Sequence, residues 1–266
     1  MISGCYHLIM KTDDRHRTIA ELLRQRQEVS VEELIAACDA SGATIRRDLE
    51  ALAANGVLRR VHGGARSLIG HGGNPGYGQR ELEDQDIKKR IAAAVAGLLR
   101  DREHVWLDSG STATEVARAL AGRDLTLMPM SLRSLNVLAA EEAAAGTRPA
   151  LLLPGGSLVP GELCFRGPLA ESNVRSLRFD TAVVTPCAVD LKDGLLAHDL
   201  EDAAVKRAGL QAASRVVVAA AAAKWEAHAR ALVAGLDRVD IMVTDRQFSQ
   251  DERRRLDDNS VEVVNV

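Results

Sequence analysis

Two stretches of this chain combine residue types suited to holding phosphate. The first is SGATIRRDLEALAANGVLRRVHGG (41–64), with Arg46 and Arg47 adjacent in a helical pattern and Arg59 and Arg60 just past an Asn-Gly break. Over residues 42–66 five arginines stand against two acids, Asp48 and Glu50, although the whole chain has a formal charge of −3. The positive charge is local, and arginine's planar fork suits guanine O6/N7 or a phosphate. The second stretch is VWLDSGSTATEVARAL (105–120), which reads as strand, small-residue loop and helix. It sets the N–H groups of Gly110, Ser111 and Thr112 at a helix N-terminus, where open donors and the helix dipole attract an anion. Each stretch also has a plainer reading. Surface arginines often only solvate a helix or pair with neighbours such as Asp48 or Glu50, and Asp-Ser-Gly is also an ordinary strand-to-helix turn.

Three helical patterns have to position the arginines. Ile19, Leu22 and Leu23 mark the first; Val31, Leu34, Ile35 and Cys38 give the second the i, i+3, i+4, i+7 spacing. Ser30-x-x-Glu33 is a capping box at its start, and Ser41 is the expected N-cap of the third. Ile45, Leu49, Leu52 and Ala53 form the inward face of that third helix. At 100° per residue this leaves Ala43, Thr44 and Arg47 outward, with Arg46 on a flank. Small residues beside a long cation fit a major groove. VLRRVHGGARSL then alternates like a hairpin, and SLIGHGGNPGYGQR (67–80), with five glycines and a proline, reads as a connector.

Beyond the connector the texture changes. Apolar runs at 104–108, 125–129, 150–154, 181–185, 215–220 and 239–245 alternate with helical patterns such as 111–121, 131–140 and 199–213. That alternation predicts an α/β unit with a mainly parallel sheet covered on both faces. A second small-residue loop, PGGSLVPGELCFRGPLAE (154–171), is placed to close over the same crevice as the first. Ile87, Ile91 and Val95 have helical spacing that fits packing on this sheet, with a subunit interface as the other reading.

Composition narrows the function classes. The 266 residues are 46% hydrophobic but 3% aromatic, so cores are aliphatic and base-stacking platforms are excluded as the main device. Cys5, Cys38, Cys164 and Cys187 form no Cys-x-x-Cys pair, which points to reduced thiols in a cytoplasmic protein. No apolar run approaches the roughly 20 residues of a membrane span. The opening MISGCYHLIM lacks a basic n-region and reads as an extension, with Met10 as an alternative start. His62 has no second ligand at metal-binding spacing, and neither metal nor cofactor is expected. Gly-x-Ser-x-Gly, Walker, His-Glu-x-x-His and Gly-x-Gly-x-x-Gly patterns are absent. Asp190 and His198 are the acid/base candidates an enzyme would need, Cys187 reads as a structural thiol, and no catalytic residue is expected.

The segment from Arg15 to Ser67, carrying TIRRDL and LRRVHGGA, resembles the winged helix-turn-helix of the DeoR family of bacterial transcription regulators. The resemblance implies Val31–Cys38 as supporting helix, Ser41–Ala54 as recognition helix and Val57–Arg66 as wing. Ser30, Ser41, Ala43, Thr44, Arg46, Arg47, Arg59, Arg60 and His62 then form the candidate DNA-contacting set. DSGST, PGG, GPLAE, DLEDAAVKRA and the final VTD extend the resemblance from about Arg80 to Asp245 and imply a sensor domain like a sugar-phosphate isomerase that has lost catalysis. By implication Asp108, Ser109, Gly110, Ser111 and Thr112 hold an effector's phosphate, with Gly155, Gly156, Glu201, Lys206 and Lys224 in or beside the pocket. Glu201 and Lys206 have a second reading as a helix-surface pair.

This chain departs from the family pattern where Pro129-Met130-Ser131, Thr185-Pro186-Cys187-Ala188, Leu196-Ala197 and Ala221–Ala223 replace more polar stretches. An effector with fewer hydroxyls, or weakened effector control, is the expectation. The expected organisation is a DNA-binding domain over 11–67, a linker over 68–80 and a sensor domain over 81–266. The expected function is an oligomeric, sequence-specific repressor of double-stranded operator DNA, controlled by a phosphorylated small metabolite. The alternatives are an isomerase-like enzyme fused to a DNA-binding head, and an architectural DNA-binding protein whose larger part only oligomerises.

Overall fold

A computed structural model describes residues 10–68, 76–140 and 147–266. The chain divides into two compact units, Met1–Asp84 and Gln85–Val266.

The first unit opens with α1 (Thr12–Arg26), whose first turn holds Asp13 and Asp14 against the positive end of the helix dipole. Next come β1 (Glu28–Ser30) and α2 (Val31–Cys38). Both bonds of the expected capping box form: Glu33 N–H donates to Ser30 Oγ at 3.2 Å, and Ser30 N–H donates to Glu33 Oε2 at 2.8 Å. α3 (Gly42–Ala54) starts from Ser41, whose Oγ accepts from Thr44 N–H. Ile19, Leu23, Leu34, Cys38, Ile45, Leu49 and Leu52 meet as one buried core beneath the three helices. The hairpin of β2 (Leu58–Val61) and β3 (Gly64–Ser67) forms as expected, but β1 joins it as a third antiparallel strand. α4 (Tyr77–Leu82) corrects the linker expected over 68–80: Tyr77 and Gln79 are buried and Leu82 packs on this unit's core. Burying Tyr77 and Leu82 outweighs the poor helix propensity of Gly78. Residues 69–75 of that stretch lie outside the described residues, as does Cys5.

In the second unit α5 (Gln85–Leu98), β4 (His104–Leu107), α6 (Ser111–Leu120), β5 (Thr126–Pro129), α7 (Leu132–Ala140) and β6 (Ala150–Leu151) come first. A two-stranded hairpin of β7 (Ser157–Leu158) and β8 (Phe165–Arg166) then leads into α8 (Pro168–Arg175) and β9 (Phe179–Val184). The chain continues through β10 (Ala188–Asp190), β11 (Gly194–Ala197), α9 (Leu200–Ala212), β12 (Ala213–Ala219) and β13 (Ala231–Ala234). It closes with β14 (Ile241–Thr244), α10 (Gln250–Asp258) and β15 (Glu262–Asn265). Seven of these strands make a parallel sheet in the order β15-β14-β12-β9-β4-β5-β6, while β10, β11 and β13 form a small antiparallel sheet.

Period-two alternation assigns the faces of the large sheet. Val105, Leu107, Leu127, Val183, Val217 and Val243 pack with α5 and α6; this is where Ile91 and Val95 go, onto their own sheet. Trp106, Met128, Ala182, Val184, Val216 and Met242 pack with α8, α9 and the antiparallel sheet. Strand succession runs from β4 to β5 and β6 in one direction, and from β9 through β12 and β14 to β15 in the other. The topological switch point therefore lies between β4 and β9, which is where open α/β sheets bind ligands.

Candidate functional site

In the first unit α3 presents the expected outward face. Ala43, Arg46 and Arg47 are exposed and Thr44 is half-buried, while Ile45, Leu49 and Leu52 point inward. Ser41 Oγ lies 2.9 Å from Thr44 Oγ1, so the two hydroxyls cap the helix and face outward together. Arg60 on β2 donates to Glu50 Oε1 at 2.8 Å, an exposed pair that ties the wing to α3. A concavity of about 290 Å³ between α3 and the wing is lined by Arg46, Arg60 and His62 among others. Arg47 and Arg59 are exposed away from that hollow. Ser30 is occupied as the cap of α2. Asp48 does not pair with Arg46 or Arg47; it turns inward, 5% exposed, and accepts from Arg15 of α1.

In the second unit the DSGST stretch sits at the switch point. Gly110, at φ 111°, is the N-cap of α6, a conformation that side-chain-bearing residues rarely adopt. No side chain caps the helix; Thr114 N–H takes the Gly110 carbonyl, and the N–H groups of Ser111, Thr112 and Ala113 have no acceptor among the described residues. Three open donors at the positive end of a ten-residue helix are suited to an anion. Ser111 and Thr112 are themselves 7% and 6% exposed.

Asp108 plays a different part from the one expected. Its Oδ1 accepts from Ser109 N–H at 2.8 Å; its Oδ2 accepts from Thr185 N–H at 2.9 Å and from the Lys206 ammonium at 2.6 Å. Thr185, at the end of β9, also donates its hydroxyl to Ser109 O at 2.6 Å. Asp108 thus fastens the loop to the neighbouring strand and to α9. A carboxylate committed in this way has no donor to offer a phosphate.

Lys206 is 2% exposed, and Asp202 Oδ1 lies 3.4 Å from its Nζ. Burial works against the ammonium, but Asp108 and Asp202 more than compensate and hold its pKa above the usual lysine value. Burial pushes the Asp108 carboxyl up while Lys206 pulls it down. With two backbone N–H donors also on that carboxylate, the charged pair is the state the geometry supports. Trp106 and Gly209 explain how a lysine reaches this depth. A Cβ on Gly209 would lie 2.5 Å from the Trp106 ring, so glycine lets α9 close on β4. Lys206, one turn earlier, then faces Asp108, two residues beyond Trp106 on the same face of the strand.

Glu201, one of the expected pocket residues, is exposed. Five residues from Lys206, it points to a different face of α9; the partner is Asp202, at i+4 spacing. Gly155 packs beside Leu169 and Asn173 of α8. Gly156 packs on the Arg166 backbone and Ala170 at the start of α8, and the Arg166 side chain donates to Asp199 at 2.7 Å and lies 3.8 Å from Asp202. Lys224 is half-buried in a 3₁₀ turn, Ala222–Trp225, after β12. Asp245 accepts from Ala222 N–H, and Trp225 stacks edge-on against Phe248 at 5.1 Å, which secures that turn. Thr185, Asp202 and Arg166 are members of the cluster that sequence reading missed.

One of the two acid/base candidates is otherwise engaged. Asp190 accepts from the N–H groups of Lys192 and Asp193. Burial, opposed by Lys206 and aided by Asp202, pushes the Cys187 thiol up to about 11, and it donates to Asp202 Oδ2 at 3.5 Å. Of the substituted stretches, Met130, Ala188 and Ala197 are buried, so these changes concern packing. Cys187, Leu196 and Ala222 keep partial exposure.

Comparison with known proteins agrees with this two-part geometry. The model of the DeoR-like helix-turn-helix domain matches residues 15–69, and that of the DeoR C terminal sensor domain matches residues 83–246. The transcriptional repressor AccR of Agrobacterium fabrum is 34% identical over 88% of this chain and 90% of its own length. The glycerol-3-phosphate regulon repressor of Haemophilus influenzae is 31% identical over 88% and 90%. The HTH-type transcriptional regulator GlpR of Haloferax volcanii is 30% identical over 94% and 96%. A ribose 5-phosphate isomerase from Methanocaldococcus jannaschii aligns with 54% of this chain and 55% of its own at 16% identity and a TM-score of 0.39, too loose a likeness to carry weight. Matched along both halves in the same order, the chain belongs to the DeoR family of DNA-binding transcription regulators.

Proposed function

We propose that this protein is a sequence-specific repressor whose second unit binds a phosphorylated small metabolite at the N-terminus of α6. The carrying observation is the set of open N–H groups at Ser111, Thr112 and Ala113, behind a positive-φ glycine at the switch point of the sheet. Ser109, Gly110, Ser111 and Thr112 hold the phosphate in this reading. Asp108 and Lys206 keep the loop in place from below, and Lys224 approaches from the end of β12. Gly156 contributes indirectly by seating Arg166 and Gly155 by packing on α8, and Glu201 is left out.

The partly exposed Cys187, Leu196 and Ala222 offer few polar contacts, which favours an ester with few hydroxyls. A relative named for a glycerol-3-phosphate regulon is consistent with a small effector of this class. On the DNA side, Ala43, Thr44, Arg46 and Arg47 enter the major groove, while Arg59, Arg60 and His62 of the wing approach phosphate; Ser30 and Ser41 orient the helices. Two heads of a homo-oligomer read repeated half-sites. The engagement of Asp190 and the raised Cys187 thiol favour a receptor over an isomerase.

Calorimetry on the full chain with short-chain phosphate esters, their unphosphorylated parents and inorganic phosphate tests the effector site. Saturable binding of an ester, with at least tenfold weaker binding of its parent, supports it. Equal affinity for ester and parent, or turnover of the ester, refutes it.

A further inference from the structure

An acid between the reading arginines and Leu49 is unexpected, because an exposed carboxylate there opposes a DNA phosphate. The structure resolves this by turning Asp48 inward. Arg15 of α1 grips it as a fork, Nε to Oδ2 at 2.8 Å and an Nη to Oδ1 at 3.1 Å, and His16 Nε2 lies 3.2 Å from Oδ1. Arg15 is itself fixed by the Met10 carbonyl at 2.7 Å and by Thr12 Oγ1 at 3.2 Å. The hydrogen bond that Arg15 donates to Asp48 holds the guanidinium's pKa above its usual value.

We propose that Asp48 is the positioning residue of the DNA-reading face, setting the roll of α3 through Arg15 and His16 without touching DNA. Ile45, Leu49 and Leu52 bury the helix but give it only an aliphatic seat, which tolerates small rotations. A bidentate guanidinium–carboxylate pair has one good geometry. A roll of about 20° moves the helix surface, roughly 5–6 Å from the axis, by about 2 Å, and base-reading side chains tolerate only about 0.5 Å. Buried ion pairs add little net stability over apolar replacements, so the return here is orientation. This inference rests on α3 being the helix that enters the groove.

The test uses the full chain and DNA fragments recovered from genomic DNA by the wild-type protein. Affinity for those fragments and for random duplex is measured by anisotropy across a salt series, well below each variant's unfolding midpoint. Asp48→Asn and Arg15→Lys are expected to lower the specific-over-random ratio tenfold or more with an unchanged salt slope, since no phosphate contact is lost. A wild-type ratio in folded Asp48→Asn overturns the proposal, as does equal strengthening on both DNAs, the mark of a removed negative charge. Should Asp48→Asn not fold, Arg15→Lys keeps the charge and loses the fork, and a wild-type ratio there is equally fatal. Arg47→Ala separates the failures. If it lowers the ratio while the clamp variants do not, only the clamp is wrong; if it weakens binding to neither DNA, the reading of α3 falls with it.

Discussion

Lys206 shows how much of the second unit depends on single groups. Its ammonium, 2.6 Å from Asp108 and 3.4 Å from Asp202, is the only cation placed to neutralise that buried carboxylate among the described residues. Lys206→Met should therefore lower stability by about 3–5 kcal/mol, because a buried charge is left unpaired; urea unfolding of the second unit measures it. Cys187 supplies a pH test. Its thiol is raised from 9.0 to about 11, so the folded state holds the proton more tightly than the unfolded chain. The resulting stability is complete below pH 9 and disappears as pH rises toward 11. Between pH 8 and 10 wild type should lose about 1 kcal/mol that Cys187→Ala does not lose, as read from urea midpoints. On the first unit, Arg47→Ala should weaken operator binding by about 1–3 kcal/mol if Arg47 contacts a base; equal loss on random DNA marks a phosphate contact instead. The sequence revealed Arg46 and Arg47 as outward because winding alone separates them from Ile45 and Leu49. It left Asp48 as a surface partner, since an acid on the flank of an apolar stripe turns inward only when a partner from another helix is known. Helix spacing favours Asp202 over Glu201 as the partner of Lys206, since residues three or four apart share a face and residues five apart do not.

At the scale of elements, the caps and periodic patterns were legible and the pairings were not. The Ser30–Glu33 box forms with both bonds, and Ser30→Ala should cost about 1 kcal/mol in the melting of the first unit. The six apolar runs all contain strands of the large sheet, although 150–154 shrinks to Ala150–Leu151. β1 was missed because three residues between helices carry no period, and α4 was hidden by the glycines around Tyr77. The antiparallel sheet of β10, β11 and β13 joins strands separated by α9, a pairing that local pattern cannot specify. Close approach is equally silent in sequence. Gly209 sits in an ordinary helical pattern, yet it lets α9 close on Trp106 and deliver Lys206 to Asp108. Gly209→Ala gains helix propensity, but it should destabilise the protein by about 1–3 kcal/mol through overpacking. A stability unchanged or raised in thermal unfolding would contradict that account of α9.

For the molecule as a whole, the parallel sheet and the small helical head were readable from alternation and charge, because α/β periodicity and a basic cluster persist without tertiary knowledge. The switch point was not, since strand order is set by which strands pair across long sequence separations. That order puts the open turn of α6 beside Thr185 and above the buried lysine, and gives the receptor half its proposed site. For an effector to regulate, it must bind the DNA-competent and DNA-incompetent states with different affinity. The most direct measurement is operator anisotropy with the full chain, titrated with a short phosphate ester and with its unphosphorylated parent, on wild type and Gly110→Val. A side chain at Gly110 is strained at φ 111° and stands beside the proposed anion site. The account predicts at least a tenfold change in operator Kd with the ester, equivalent to about 1.4 kcal/mol of coupling, little with the parent, and no response in a folded Gly110→Val that still binds DNA. An equal response to ester and parent, a response that survives Gly110→Val, or no response to any phosphate ester would contradict it.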